Sequence, residues 1–255
     1  MKEKIKISSI IIAKNEENNI TRCIESQLNC IDEIIVIVDS GSTDKTLDLI
    51  KSYNIKYEVV DWMGYAKTKQ YAVSLTSNKW ILWIDADESL THALSDELKK
   101  FKETEPQYSA YSLPRKAFFL GKWIKHSGWY PGRVTRLFNK ENAYFSDSDV
   151  HEHLIVNGNT GELKNDIDHY TDPSIEHYFH KFNRYTTLAA EELNRKNRKA
   201  GLNDILIRPV FLFFKMYIIR KGFLDGLHGF ILAIFSATYV FIKYSKLWEL
   251  NHKKE

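Results

Sequence analysis

Four short apolar runs mark the first third of the chain: Ile5 to Ala13, Ile34 to Val38, Tyr57 to Val60 and Trp80 to Ile84. All are rich in β-branched or aromatic residues and too short for core helices, so each is predicted to be a buried strand. The segments between them, Glu17 to Leu28, Thr43 to Tyr53 and Tyr65 to Leu75, have helical length and a mixed polar and apolar period. Ser42-Thr43-Asp44 supplies a helix start, with Ser42 or Thr43 as cap. Strand and helix alternate, which predicts a doubly wound, mostly parallel α/β sheet.

A further helix is expected from Ser89 to Phe101. After it, short strands broken by Gly and Pro run through Tyr111, Trp129-Tyr130-Pro131-Gly132 and Leu137-Phe138; they are expected to extend the sheet and carry the second half of a site. Ile175 to Arg198 reads as a polar amphipathic helix ending near Gly201. The predicted division is a catalytic domain over 1–173 and a helical region over 174–255.

The last part of the chain differs in kind. Arg208 to Lys221 mixes bulky apolar and aromatic residues with flanking cations, the composition of a helix lying in a membrane interface. Gly229 to Ile242 carries no charge but is shorter than the roughly 20 residues that span a bilayer. Amphipathic interface helices are therefore expected over 205–248, inserted or re-entrant, with a helical hairpin buried against a second copy in a homodimer as the alternative.

Charge sharpens this division. The formal net charge of +3 conceals a split, because residues 181–255 hold 14 Lys and Arg against 6 Asp and Glu, a net +8 that leaves −5 on the rest. An anionic surface is the expected partner of the basic part. Its cations are interleaved with apolar residues and do not line a polar face, which suits anionic lipid and argues against nucleic acid. The two cysteines, Cys23 and Cys30, make no disulfide framework and fit a reducing compartment. The first apolar run lacks the length and cleavage site of a secretion signal.

In an open parallel sheet, ligands bind beyond the carboxyl ends of the strands. Here those ends carry Lys14-Asn15-Glu16, Asp39-Ser40-Gly41-Ser42-Thr43-Asp44 and Asp85-Ala86-Asp87-Glu88. Asp85-x-Asp87 after an apolar strand suits Mg²⁺ or Mn²⁺ on a diphosphate, since hard cations take carboxylate and phosphate oxygens; alone, such a pair is as readily a solvated helix cap. Asp39 is placed to accept the imide N–H of a uracil and Gly41 permits close backbone approach, although Asp39 and Asp44 equally serve as helix caps. Lys67 and Lys69 are candidate phosphate contacts, or ordinary surface lysines.

His151-Glu152-His153 is the second dense cluster. On a strand the two histidines share one face and Glu152 takes the other. Glu152 is a candidate general base for an acceptor hydroxyl and His153 a candidate metal ligand; a hydrogen-bonded polar edge is the bland alternative. The spacing is not that of a zinc hydrolase helix. Trp129 and Tyr130 are candidate sugar platforms and Arg136 a candidate phosphate clamp for an acceptor, or simply core and rim residues.

Taken together, Ile11-Ile12-Ala13-Lys14-Asn15-Glu16, Val38-Asp39-Ser40-Gly41-Ser42-Thr43-Asp44 and Trp83-Ile84-Asp85-Ala86-Asp87-Glu88 closely resemble family 2 glycosyltransferases of the GT-A fold. Asp61-Trp62-x-Gly64-Tyr65, Trp129-Tyr130-Pro131, Arg136-Leu137-Phe138, Val150-His151-Glu152 and Lys221 to Gly229 resemble the lipopolysaccharide core β-1,4-glucosyltransferase branch. The resemblance implies that Ala13, Lys14, Asn15, Glu16, Asp39 and Gly41 hold the nucleoside of a nucleotide-sugar donor. It implies that Asp85, Ala86 and Asp87 hold the diphosphate and metal, and that Glu152 is the base of one inverting displacement onto a lipid-linked saccharide. Work at the cytoplasmic face of a membrane follows from the same likeness. Lys69-Gln70 departs from a Lys/Arg-Asn pair common in that family, which leaves one donor contact open. The competing classes are a sugar nucleotidyltransferase, against which the absence of a Gly-rich phosphate loop weighs, and a non-enzymatic membrane-surface protein, which leaves the three strand-end clusters unexplained.

Overall fold

The structure, a computed structural model, describes residues 4–146 and 153–252. It divides into two compact units, Met1–Arg115 with Arg133–His169, and Lys116–Gly132 with Tyr170–Glu255. The chain begins β1 (Ile7–Ala13), α1 (Ile20–Glu25), β2 (Glu33–Asp39), α2 (Thr46–Lys51), β3 (Lys56–Val60), α3 (Tyr65–Ser74), β4 (Trp80–Asp85), β5 (Glu88–Leu90) and α4 (His92–Phe101). It continues through β6 (Ala110–Phe119), β7 (Lys122–Trp123), β8 (Gly132–Asn139), β9 (Ala143–Phe145), β10 (Leu154–Val156), β11 (Thr160–Glu162) and β12 (Ile167–Asp172). The helices α5 (Ile175–Arg195), α6 (Arg208–Phe214) and α7 (Leu227–His252) close the order.

In the first unit the strands run β3-β2-β1-β4-β8-β6-β12-β5. The four on one side, β3 to β4, are parallel. Alternate residues of β1 serve opposite faces: Ile7, Ile11 and Ala13 enter one apolar core, Ile10 and Ile12 the other. A strand covered on both faces has no polar side to show, which is why β1, β2 and β4 read as unbroken apolar runs; β3, expected to be buried, is instead an edge strand with Lys56, Tyr57 and Val59 exposed. β8 then turns antiparallel to β4, pairing Ile81 with Phe138. β5 and β12 also pair antiparallel, with His169 opposite Glu88. The sheet is thus mixed beyond β4.

The order places β2 and β3 to one side of β1 and β4 to the other, so strand direction of travel reverses between β1 and β4. Such a switch point opens a crevice at the carboxyl ends of the two strands. Ile12 lies opposite Asp85 across it, which brings the loop from Lys14 and the loop from Asp85 to one edge.

In the second unit, two wide π-type turns, Asn203–Ile207 and Lys215–Ile219, flank α6. Phe119, Ile124, Met216, Leu232 and Ala233 form one core, and Ala190, Tyr244 and Leu247 another. Gly229 packs onto the backbone of Gly222 so closely that a Cβ on Gly229 would lie 1.9 Å from the Gly222 carbonyl oxygen. Asp225, buried, accepts the backbone N–H groups of Lys125 (3.3 Å) and His126 (2.9 Å). The Lys221 to Gly229 motif is therefore a packing joint between these segments.

α7 extends well past the uncharged stretch from which a shorter insertion was expected. Lys246, the second charge after that stretch, is held by α5: its Nζ donates to the Asn183 carbonyl oxygen (3.0 Å) and Oδ1 (2.8 Å), Thr186 Oγ1 (2.9 Å) and Thr187 Oγ1 (2.8 Å). With that charge satisfied inside the unit, the helix continues to His252, and by length and composition it suffices to cross a membrane. Phe211, Phe214, Ile218, Ile219, Leu224 and Leu227 leave apolar surface exposed on this unit, more than isolated surface hydrophobics would.

Candidate active site

The β1 and β2 ends are laced together. Lys14 Nζ lies 2.8 Å from Asp39 Oδ2, and Asp39 Oδ1 accepts the Gly41 N–H at 2.7 Å. The Lys14 hydrogen bond, with that of Gly41, holds the buried Asp39 carboxyl below its usual pKa. A Cβ on Gly41 would stand 3.1 Å from Asp39 Oδ1 and 3.3 Å from Lys14 Nζ, so glycine keeps this corner open. Asn15 takes a left-handed conformation (φ 55), tolerable for Asn, and its Oδ1 accepts the Thr43 N–H at 2.8 Å. Glu16 donates its backbone N–H to Thr46 Oγ1 at 2.7 Å and accepts Asn19 Nδ2 at 2.8 Å. Asp44 Oδ1 accepts the Thr46 N–H at 3.0 Å just before α2, but the N-cap is Lys45 and no side chain caps the helix, so neither Asp44 nor Ser42 or Thr43 takes the expected cap position. Ala13 and Ala86 bury their methyl groups, so a ligand can meet them only through the backbone.

The end of β4 is charged and organised. Arg136 Nη2 bridges Asp85 Oδ2 and Glu88 Oε1, each at 2.6 Å, while its guanidinium stacks 3.5 Å from the Trp83 ring centroid. Lys69, also buried, sits 3.9 Å from Asp85 Oδ1 and 3.8 Å from the Trp83 ring centroid. Burial opposes ionisation of Asp85, but Arg136 foremost and then Lys69 bring its pKa to about 2. Burial, followed by the Asp85 charge, raises that of Glu88 despite Arg136. Asp85 is thus the standing anion and Glu88 the reluctant one.

Two expectations change. Arg136, expected at an acceptor, is only 2% exposed and engaged with Asp85 and Glu88, because the fully buried Glu88 carboxylate needs a cation there. Lys67 points away on an exposed part of α3, whereas Lys69, two residues on, reaches Asp85. His153, expected as a metal ligand, lies exposed just before β10 with its backbone N–H on Ser146 Oγ (3.3 Å). Glu152 and His151 fall outside the described residues. Gln70 is spent on structure, its Oε1 accepting the Phe145 N–H at 3.0 Å.

Sequence reasoning missed His169. Its Nε2 lies 3.3 Å from Asp87 Oδ2, and its Nδ1 is buried with no hydrogen-bond partner among the described residues. The separation matches the edge between two adjacent ligands of an octahedral ion, about 3 Å for bonds of about 2.1 Å. A carboxylate and an imidazole, with the remaining positions left to water and phosphate, fit a small divalent cation. The signal was the single histidine at alternate spacing after Ile167, which becomes meaningful only once β12 is known to pair with β5. Arg115, whose Nη1 lies 3.8 Å from Glu88 Oε1, was missed as well.

Trp129 and Tyr130 belong to the second unit. Trp129 packs edge-on to Phe119 (6.2 Å) and Tyr130 edge-on to Trp123 (5.3 Å).

Comparison with known proteins adds three findings. The model of the family described as Glycosyl transferase family 2 matches residues 8–157. The chain is 34% identical to an uncharacterized glycosyltransferase, RT0209, of Rickettsia typhi over 97% of this chain and 88% of the relative. It is 30% identical to the lipopolysaccharide core biosynthesis glycosyltransferase LpsC of Rhizobium meliloti over 98% and 95%. Among solved structures, the mannosyltransferase PcManGT of Pyrobaculum calidifontis, in complex with GDP-Man and Mn²⁺, superposes with a TM-score of 0.57 at 12% identity, covering 99% of this chain and 89% of that one. That likeness is one of fold, the GT-A arrangement.

Proposed function

The chain belongs to glycosyl transferase family 2, and on that premise we propose that it transfers a hexose, with glucose the first choice, from a UDP-sugar to a hydroxyl of a lipid-linked or lipopolysaccharide-core acceptor. The observation that carries this reading is the meeting of the β1, β2 and β4 ends at the switch point. There an ionised Asp39 and an ionised Asp85 each stand with a lysine, 2.8 Å away for Lys14 and 3.9 Å away for Lys69. The likeness over nearly the whole chain to a lipopolysaccharide core glycosyltransferase supports the acceptor class.

In this reading Asn15, Glu16 and Asp39 receive the nucleoside. Lys14 is exposed enough to swing aside, leaving the Asp39 carboxylate to accept the imide N–H of uracil. Lys69 and Asp85 border the diphosphate, the lysine offering positive charge where the leaving group departs. Asp87 and His169 hold Mn²⁺ or Mg²⁺, which when bound neutralises diphosphate charge as a Lewis acid. Glu152 takes the acceptor hydroxyl's proton on the side opposite the diphosphate, giving inversion in one displacement. The second unit, basic and apolar, seats the protein at the cytoplasmic face of a membrane, where acceptor confined to a surface is effectively concentrated.

Calorimetry of the purified protein with UDP, with and without Mn²⁺ and with GDP and CDP as controls, tests the donor class. Metal-dependent binding of UDP alone is expected. Binding of none of the three nucleotides would remove the basis of the reading.

A further inference from the structure

The second unit contains a cavity of about 380 Å³ between the loop after β7, α5, the α6 region and α7. Two cations reach it, Lys215 and Arg220, at the start and just past the end of the wide turn Lys215–Ile219. Neither forms an ion pair among the described residues, and no acidic side chain lines the cavity. Positive charge brought together without a counter-charge is a binding feature in need of an anion.

The loop beside the arginine is shaped to hold it. Ser127, which lines the cavity, donates its backbone N–H to the Arg220 carbonyl oxygen at 2.9 Å. The neighbouring Gly128 has φ +82, and a Cβ there would lie 2.7 Å from Arg220 Nη1, so the bare backbone is what lets the guanidinium lie across this loop. A guanidinium and an ammonium lining one cavity suit phosphate oxygens.

The remaining walls are aromatic and apolar, from Trp129, Tyr178 and Tyr239. Outside, the same helices expose Phe211, Phe214 and Ile218. The volume is of headgroup size and too small for acyl chains, which have apolar surface to follow.

We propose that this cavity binds the phosphate-bearing headgroup of a lipid, with Lys215 and Arg220 on the phosphate and the hydrocarbon lying along the exposed face of α6. The proposal concerns binding by the second unit and does not depend on the donor or on transfer.

The full-length protein in neutral detergent is titrated calorimetrically with dihexanoyl phosphatidic acid and, separately, with inorganic phosphate. It is also floated with phosphatidylcholine vesicles with and without phosphatidic acid. Saturable binding of the short-chain lipid is expected, weakened roughly tenfold or more, as loss of two charge-assisted contacts implies, in Lys215→Gln with Arg220→Gln. The control pair Arg184→Gln with Lys199→Gln makes the same change in net charge on exposed positions and should bind as the wild type does, both pairs keeping the wild-type melting temperature. Equal losses in the two pairs would reduce the effect to general surface charge and overturn the site. Inorganic phosphate binding as tightly as the lipid would overturn the lipid assignment, and no saturable binding of either ligand would overturn the proposal entirely.

Discussion

Arg136 holds Glu88 at 2.6 Å inside the sheet, with Glu88 fully shielded from solvent and Arg136 2% exposed. Removing one member of such a pair strands the other charge. Arg136→Met is therefore expected to cost about 3–5 kcal/mol, read as a lower urea midpoint. Because much of that cost is the abandoned carboxylate, adding Glu88→Gln should restore part of it, and a double variant no more stable than Arg136→Met would contradict the argument.

Asp39 titrates below its normal range, the Lys14 hydrogen bond being the main cause. For a carboxyl whose folded pKa is depressed, the stabilisation is fully present above the unfolded value, about 3.9, and is lost as pH falls through the folded value. The stability gap between wild type and Asp39→Asn should accordingly hold from neutral pH down to about pH 4 and narrow at more acid pH. Unfolding midpoints measured across that range decide it; a gap that widens on acidification has the wrong sign.

Lys67 and Lys69 looked alike in sequence and differ in place, one exposed and the other buried beside Asp85. Lys69→Ala is expected to weaken UDP binding roughly tenfold to hundredfold, the range of one charge-assisted contact, whereas Lys67→Ala should stay close to wild type. Equal effects in calorimetry would remove Lys69 from the donor site.

How far the sequence revealed this architecture depends on which contacts were local. β1, β2 and β4 were legible because a strand buried on both faces must be apolar along its whole length, and the clusters at Lys14, Asp39 and Asp85 follow those strands directly; β3 lies at the sheet edge and is exposed where burial was expected. The partnership of Arg136 with Asp85 and Glu88 was not legible, since it depends on β8 pairing antiparallel with β4. His169 was hidden likewise, its neighbour Asp87 being brought close by pairing of β12 with β5. The apolar stretch looked too short because it ends at Ile242, yet α5 supplies acceptors for Lys246 beyond it and the helix runs on.

The Asp87 and His169 pair makes the metal dependence specific to named side chains. His169→Ala is expected to abolish most of the gain in UDP affinity that Mn²⁺ gives, while binding without metal stays within about twofold, since one imidazole ligand and no nucleotide contact is lost. Chelation of the wild type with EDTA should reproduce the variant's affinity. If His169→Ala responds fully to Mn²⁺, the imidazole is no ligand.

Gly229 and Gly222 touch through bare backbone, and the joint they form has no slack. A Cβ at 229 would stand 1.9 Å from the Gly222 carbonyl oxygen and 3.1 Å from the Asp225 Cβ. The obstacle is main chain, which cannot rotate away as a side-chain tip does, so α7 must shift bodily or the 222–225 turn must unwind. Overpacking of this kind costs about 1–3 kcal/mol or more, and Gly229→Ala should lower the melting temperature of the full-length protein in detergent by several degrees, a shift of the size such energies produce. Gly201→Ala is the matched control, because the nearest atom to its added methyl, Asp204 Oδ2, lies 3.9 Å away. A Gly229→Ala protein that melts with the control would mean that the joint can open without loss, and that the Lys221 to Gly229 motif serves something other than packing.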